Sequence, residues 1–279
     1  MTAQEPFLRE LLSELDQGHF ELPTLPEVAL RVRDAVESGT TSARQTADLI
    51  ATDAALSARL IQVVNSPLYR ASRPIDSLPR AVSRLGNALV RNLVTSLVMK
   101  QMFQATTDSL DRRLRALWEH NVQVAAIARV LAARIPGLSP DQAMLAGLLH
   151  DIGVLPILTH AENSPQLRGD MITLDRLVVE YHPQIGAKIL SSWKFPPSLV
   201  AVAAEHENLQ RDPDGPPDLV DVVIVANLQS YLGGTPNHAQ VDWSTVPAFR
   251  RLGFDTEVNT VEMTEHQDQL GEVQHLLDT

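Results

Sequence analysis

The segment with the strongest structural signal in this chain is Asp141-Gln-Ala-Met-Leu-Ala-Gly-Leu-Leu-His-Asp-Ile-Gly153. Just before it, Ser139 is suited to cap a helix and Pro140 to be the first helical residue. Apolar residues run almost without a break over 143–149, which predicts a helix buried on most sides. Gly153 is expected to end that helix.

The apolar run closes on an adjacent imidazole and carboxylate, His150 and Asp151. Burying two ionisable groups costs several kcal/mol, about 2–7 for a polar group alone, unless they are paired, hydrogen-bonded or bound to metal. Other polar groups of the chain must therefore meet this pair in the folded protein. Their identity is the main functional question that the sequence poses.

The composition indicates a helical protein. The 279 residues are 44% apolar but only 4% aromatic, and apolar positions recur at helical spacing through most of the chain. No sustained alternation of apolar and polar residues predicts a strand. We therefore predict an all-α, multi-helix bundle. Since the chain has no cysteine, disulfides and thiolate metal sites are excluded.

Short helices with short connections dominate the first part of the chain, and longer helices follow. We predict an N-terminal helical subdomain over residues 1–105, including a helix over 4–17, and a second helical subdomain over 106–279. In the second, we expect one helix over 175–181 and a new helix that opens at His182-Pro183. The last predicted helix covers 257–277.

Charge is distributed unevenly along the chain. The net charge is −11, yet residues 1–134 hold 16 basic and 14 acidic side chains, whereas residues 135–279 hold 7 and 20. The acidic balance, without an aromatic stacking motif, argues against direct nucleic-acid binding. The 10 basic and 5 acidic residues of 31–100 are interpreted either as solvated helix faces or as a mildly basic surface for an acidic partner.

Nothing in the sequence indicates a membrane partner. Met1-Thr-Ala-Gln-Glu-Pro6 lacks the basic segment and apolar core of a secretory signal, and we expect no apolar run of the roughly 18 residues that span a membrane. We therefore expect a cytoplasmic protein.

Polar residues interrupt the apolar helices of the second half at four places: His120, His150-Asp151, His182 and His206. A single buried histidine is more often a core residue that donates to a backbone carbonyl than a ligand. Together these residues change the interpretation, because facing helices of a bundle can direct side chains to one point. Imidazole and carboxylate groups suit Mn, Fe, Ni or Zn, so the pattern is compatible with a buried site for one or two divalent transition metal ions.

Nine ordered motifs extend along most of the chain: Leu22-Pro-x-Leu-Pro26, Thr52-Asp53-Ala-Ala-Leu56, Val64-Asn65-Ser66, Ala81-Val-x-x-Leu-Gly86, Leu117-Trp118-x-His120, Gly147-Leu-Leu-His-Asp-Ile-Gly153, His182-Pro-x-Ile-Gly186, Trp193-x-x-Pro196 and Glu205-His206. With these motifs the chain resembles the HDOD domain proteins, bacterial signalling output domains related to the HD phosphohydrolases. The resemblance covers about residues 20–255 and implies an all-α fold in which an N-terminal helical part packs on an HD-like bundle.

Two departures from the HD pattern fall at residues that matter for chemistry. A carboxylate on a later helix completes the metal shell of HD proteins, but Asn227 occupies the matching position here. Relatives that hydrolyse cyclic di-GMP carry His-His-Glu followed by Gly-Tyr-Pro, whereas this chain has Glu205-His206-Glu207 and then Gly215-Pro216. We expect Glu205 to be able to ligate a metal, so the site is altered rather than erased.

Three functions remain open from the sequence. The first is a non-catalytic signal-transduction module that contacts other signalling proteins and keeps the histidines as a polar core, because losing one member of a catalytic unit removes most activity. The second is a metal-dependent phosphohydrolase with an altered site, acting on a phosphodiester or a nucleotide. The third is a metal-binding regulator without turnover. The oligomeric state is not predicted.

Overall fold

A computed structural model of the chain describes residues 23–69, 73–103, 108–163, 170–231, 241–254 and 264–278. Helices dominate these residues and no strand occurs among them, which confirms the predicted all-α class. The α-helices are α1 (Glu27–Glu37), α2 (Ala43–Ile50), α3 (Ala54–Asn65), α4 (Leu78–Leu85), α5 (Asn87–Met99), α6 (Asp108–Ala132), α7 (Pro140–Leu149), α8 (Val154–Asn163), α9 (Met171–Ser192), α10 (Pro197–Glu205), α11 (Leu219–Ser230), α12 (Pro247–Leu252) and α13 (Thr264–Asp278). Short 3-10 helices cover Lys100–Phe103 and Trp243–Thr245.

The predicted start of α7 is confirmed. The Ser139 hydroxyl accepts a hydrogen bond from the backbone N–H of Gln142 (3.3 Å), and Pro140 is the first helical residue. Every residue of α7 from Ala143 to Leu149 is buried. The stretch that closes on His150 and Asp151 is therefore the central helix of the bundle.

The long helix α6 lies against α7 and also packs on α11 and α13. Its approach to α7 is very close at Gly147, where a Cβ atom would lie 2.8 Å from the Cα atom of Ala125. Only glycine allows two helix backbones this close. The close packing brings His120 of α6 beside His150 at the end of α7.

The N-terminal helices share the same core. Helix α1 packs on α5, and α5 packs on α7. One cluster of buried apolar residues extends from Leu25 to Leu277, and Arg33 of α1 donates to the carbonyl of Trp193 at the end of α9. The division into subdomains 1–105 and 106–279 stays a prediction, and the predicted boundary between residues 105 and 106 lies outside the described residues.

Gly153 has a different role from the one predicted. It precedes α8, a helix that the sequence analysis did not predict, and it has no positive φ that would mark a helix-ending glycine. A Cβ atom at this position would lie 2.0 Å from the carbonyl oxygen of His182 and 2.6 Å from the backbone nitrogen of Gly186. The glycine therefore lets the turn after Asp151 touch the backbone of α9.

The prediction that a new helix begins at His182-Pro183 is wrong. Helix α9 is 22 residues long and runs through Pro183 without a break. Proline in a helix interior removes one hydrogen bond and costs about 3 kcal/mol. The carbonyl that loses its donor belongs to Val179, which is 71% exposed, so water can reach that side of the helix. Burial of the opposite face of α9 keeps the helix continuous.

One segment contradicts the expectation that no apolar run is long enough for a membrane span. Pro140–Ala161, which contains α7 and most of α8, is 22 residues long and meets the length and composition of a membrane helix, but 89% of its apolar window is buried inside the fold. It is the core of the bundle.

Two other predicted helices lie wholly or partly outside the described residues. The helix predicted over 4–17 lies outside the described residues, and of the helix predicted over 257–277 the structure describes Thr264–Asp278.

The role of Gly153 predicts a stability difference between two glycine substitutions. Gly153→Ala forces the turn away from α9 and should lower the free energy of unfolding by at least about 2–3 kcal/mol. Gly271→Ala is the matched control, because Gly271 lies in helix α13 and a Cβ atom added there would meet no atom within 4 Å. The control should stabilise by about 0.5–1 kcal/mol. Denaturant unfolding of both variants measures the difference; equal stabilities would contradict this role for Gly153.

Candidate metal centre

Five side chains predicted from the sequence converge at one place in the bundle. His120 comes from α6, His150 and Asp151 follow the last residue of α7, His182 comes from the middle of α9, and His206 follows the last residue of α10. The carboxylate of Asp151 lies at the centre, and each of its two oxygens faces a different pair of imidazoles.

The first group consists of His120, His150 and Oδ2 of Asp151. The Nε2 atoms of the two histidines are 3.3 Å apart. Oδ2 lies 3.7 Å from Nε2 of His120 and 3.4 Å from Nε2 of His150.

The second group consists of His182, His206 and Oδ1 of Asp151. The two Nε2 atoms are 3.1 Å apart, and each lies 3.2 Å from Oδ1. The two groups therefore share one carboxylate, with one oxygen for each.

Backbone carbonyls fix the orientation of three of the rings. Nδ1 of His150 donates to the carbonyl of Gly147 (2.7 Å), and Nδ1 of His182 donates to that of Val178 (2.7 Å). Nδ1 of His206 lies 3.0 Å from the carbonyl of Val202. With the proton on Nδ1, a neutral imidazole directs the lone pair of Nε2 toward Asp151.

This arrangement fits divalent metal ions. Bonds of about 2.0–2.2 Å to nitrogen and oxygen put neighbouring ligand atoms about 3.0 Å apart in an octahedron and about 3.4 Å apart in a tetrahedron, and the six distances within the two groups are 3.1–3.7 Å. Without a cation, inward lone pairs would face one another and a carboxylate. Protonating every Nε2 instead would crowd imidazolium ions in a buried space, which is also unfavourable.

Burial and charge shift the pKa values of the cluster in different directions. Burial lowers the pKa of His150 to about 3, against the attraction of Asp151. Burial also opposes ionisation of Asp151 and protonation of His182, but the imidazoles around Asp151 hold its pKa well below the usual range. The hydrogen bond and charge of Asp151 raise the pKa of His182. The cluster thus favours an ionised carboxylate and a neutral His150, the states in which both groups bind metals.

The cluster is more open on one side than on the others. His150 and His206 are fully buried, whereas the side chains of His120 and Asp151 are 17% and 12% exposed. The ring of Tyr231 stacks on His120 with ring centroids 5.0 Å apart. The cluster is therefore closest to solvent at His120 and Asp151.

Glu205 and Asn227, the other two predicted ligands, lie outside both groups of ligand atoms. The carboxylate of Glu205 forms an ion pair with Arg211 (2.7 Å), which also pairs with Asp218 and Asp221. The side-chain nitrogen of Asn227 donates to Oε1 of Glu207 (3.4 Å).

Glu207 is not among the ligands predicted from the sequence, although its carboxylate lies 3.6 Å from Nε2 of His206. Its position directly after His206 was the available signal. Sequence alone could not decide between the carboxylates on the two sides of His206, because α10 ends at Glu205 and the direction of the chain after a helix end depends on the turn that follows.

Comparisons with known proteins give a family and a fold. The model of the HDOD domain family matches residues 22–209. In the crystal structure of a candidate metal-dependent phosphohydrolase from Shewanella amazonensis SB2B, 29% of residues are identical and the TM-score is 0.84, covering 98% of this chain and 99% of that one. An HDOD domain protein of unknown function from Geobacter sulfurreducens is 26% identical with a TM-score of 0.68, covering 97% and 95%.

A curated relative extends beyond this chain. An uncharacterized protein of Treponema pallidum (strain Nichols) is 26% identical over 260 residues, which cover 88% of this chain and 49% of that protein. The chain therefore spans about half the length of the curated relative that it matches.

The lowered pKa of His150 predicts how the metal-free protein responds to acid. Between pH 6.5, the ordinary histidine pKa, and about 3, the unfolded chain binds a proton at this position that the folded chain does not, so stability falls as the pH falls, by up to about 1.4 kcal/mol per pH unit. The raised pKa of His182 affects stability in the opposite direction, because it stabilises the folded chain as the pH falls. This stabilisation is fully present below pH 6.5 and therefore does not change further as the pH is lowered.

Denaturant unfolding of chelator-treated protein between pH 6.5 and 4.5 tests this prediction. The wild type should lose stability over that interval, and His150→Gln should lose clearly less. Parallel curves for the two proteins would show that His150 is not held neutral by burial.

Proposed function

Because the chain belongs to the HDOD domain family and its polar cluster has the chemistry of a metal centre, we propose that it is a metal-dependent phosphohydrolase. One or two divalent ions would be held by His120, His150, Asp151, His182 and His206, with Asp151 shared between the two positions. The observation that carries this proposal is the convergence of four Nε2 atoms on the two oxygens of one carboxylate.

The ligand atoms of the cluster favour some divalent ions over others. Imidazole nitrogen and carboxylate oxygen without thiolate suit Mn, Fe, Ni or Zn better than Ca or Mg. When bound, such ions supply Lewis acidity toward a phosphoryl oxygen and generate a nucleophile from water near neutral pH.

The side chains of this protein would do three things in that reaction. Asp151 provides negative charge to both ion positions at once. The carbonyls that receive the Nδ1 protons of His150 and His182 keep both rings turned inward, so no reorientation is needed on binding. A phosphate group would reach the cluster at His120 and Asp151, whose side chains are partly exposed. The substrate class that suits this site is a phosphodiester or a nucleotide.

The proposal also agrees with the comparison. The Shewanella amazonensis protein is described as a candidate metal-dependent phosphohydrolase, and it matches this chain over nearly the whole length of both. We extend that description to this chain because the five ligand positions are present here and their distances suit metal coordination.

A second candidate function is a cytoplasmic signal-transduction module that contacts other signalling proteins without turnover. The specific observation in its favour is Asn227, a neutral amide where the HD pattern has a carboxylate. A protein that binds metal but does not hydrolyse phosphate esters would be an intermediate case.

The proposal predicts bound metal and turnover that both depend on Asp151. Protein purified without chelator should contain at least one transition metal ion per chain, and with added Mn²⁺ it should hydrolyse bis(p-nitrophenyl) phosphate or a cyclic dinucleotide. Asp151→Asn should lose metal and lower the rate by at least about 10³-fold, because the shared carboxylate acts with all other ligands. Metal analysis and a chromogenic assay measure the two effects.

The matched control is Asp175→Asn, the same chemical change at an ion pair on the surface with Arg113, which should leave metal content and rate unchanged. Bound metal without turnover on any tested phosphate ester would contradict hydrolysis and favour a metal-binding regulator. A protein with neither metal nor turnover would favour the signalling module.

A further inference from the structure

The proposed metal centre has too little negative charge for two divalent ions. Four neutral imidazoles and Asp151 contribute a single negative charge, and uncompensated charge in a buried site is costly. In the HD pattern a further carboxylate comes from the position of Asn227. A centre that binds two ions here requires an anionic group from elsewhere in the chain.

Glu207 is placed to provide that group. Its Oε1 atom lies 3.6 Å from Nε2 of His206, the same nitrogen that lies 3.2 Å from Oδ1 of Asp151 and 3.1 Å from Nε2 of His182. Glu207 lies outside both groups of ligand atoms as the side chains stand. Because its side chain is 35% exposed, a change of rotamer can bring the carboxylate to the ion position without disturbing the core. Glu205, the alternative carboxylate, is held away from the cluster by Arg211.

Asn227 fits this arrangement better than an aspartate would. Its side-chain nitrogen donates to Oε1 of Glu207 at 3.4 Å, and an aspartate at the same position would repel that carboxylate. The other polar atom of the amide, Oδ1, is buried without a hydrogen-bond partner. Among the described residues, the side-chain hydrogen bond of this amide is therefore the one to Glu207.

From this juxtaposition we propose that Glu207, held by the amide of Asn227, supplies the second carboxylate of the metal centre on the side of His182 and His206. The inference rests on the proposed metal centre and identifies the group that compensates for the missing carboxylate at position 227. Asn227 is then a positioning residue for Glu207 and not a weakened ligand.

The two ion positions become unequal as a result. The position at His182 and His206 then has two carboxylates, Asp151 and Glu207, whereas the position at His120 and His150 has Asp151 alone. Ion affinity rises with the number of anionic ligands, so the first ion should bind tightly beside Glu207. The second ion should bind more weakly, on the more open side.

Replacing single carboxylates by amides and measuring Mn²⁺ affinity tests the inference without an activity assay. Mn²⁺ is titrated into chelator-treated protein, and the free ion is counted by its electron paramagnetic resonance signal. The wild type should bind in two unequal steps. Glu207→Gln should weaken the tight step by about 10–100-fold, and Glu205→Gln, the neighbouring matched control, should leave it within about threefold of the wild type.

The Asn227→Asp substitution tests whether Glu207 replaces the carboxylate that is missing at position 227, or whether that ligand is simply absent. As a single substitution it should not tighten binding, because the new carboxylate repels Glu207. In the Glu207→Gln background it should restore most of the lost affinity, since one carboxylate is again present and the amide at 207 can donate to it. Circular dichroism of each variant checks that the helical fold is retained.

Unchanged Mn²⁺ affinity in Glu207→Gln, alongside two-step binding by the wild type, would overturn this inference and leave the proposed metal centre intact. Tighter binding by Asn227→Asp alone would also overturn it, because position 227 would then be a vacant ligand position. Absence of Mn²⁺ binding by the wild type would instead overturn the proposed metal centre itself.

Discussion

The structure around the cluster depends on one constraint, which is that the buried carboxylate of Asp151 must be surrounded by groups that stabilise its charge. Four imidazoles from four separate segments meet this need, within 3.2–3.7 Å of its two oxygens. Each segment must be held in place for the rings to reach Asp151. Gly147 allows α6 to lie close to α7, and Gly153 allows the turn after Asp151 to touch α9. The close helix contacts that build the core therefore also set the geometry of the site in this protein.

Much of the fold could be predicted from the sequence because its local signals are strong. Ser139 and Pro140 mark the start of α7, and the apolar run behind them identifies the buried helix. The errors occurred where tertiary contacts override local preference. Pro183 was expected to begin a helix, but burial of the opposite face carries α9 through it. Gly153 was interpreted as a helix end, whereas its missing Cβ is required by contact with the backbone of α9, which no local pattern reveals.

The candidate site could be predicted to the level of its histidines and Asp151, and no further. Their positions at the ends or on the buried faces of apolar helices indicated convergence, because burial of a titratable group needs a partner. The carboxylates were harder to assign. Glu205 and Glu207 flank His206, and the turn after α10 together with the ion pair to Arg211 decides which one faces the cluster. The arrangement also changes the meaning of Asn227, which contacts a neighbouring carboxylate instead of standing alone as a substituted ligand.

The metal centre is tested most directly by anomalous diffraction from crystals of the protein grown with Mn²⁺. Anomalous density should appear between His182, His206 and Asp151, and at higher Mn²⁺ concentration a second peak should appear between His120, His150 and the other oxygen of Asp151. Density elsewhere on the protein, or none within the cluster while the five side chains keep their positions, would contradict the central claim that these residues form a metal centre.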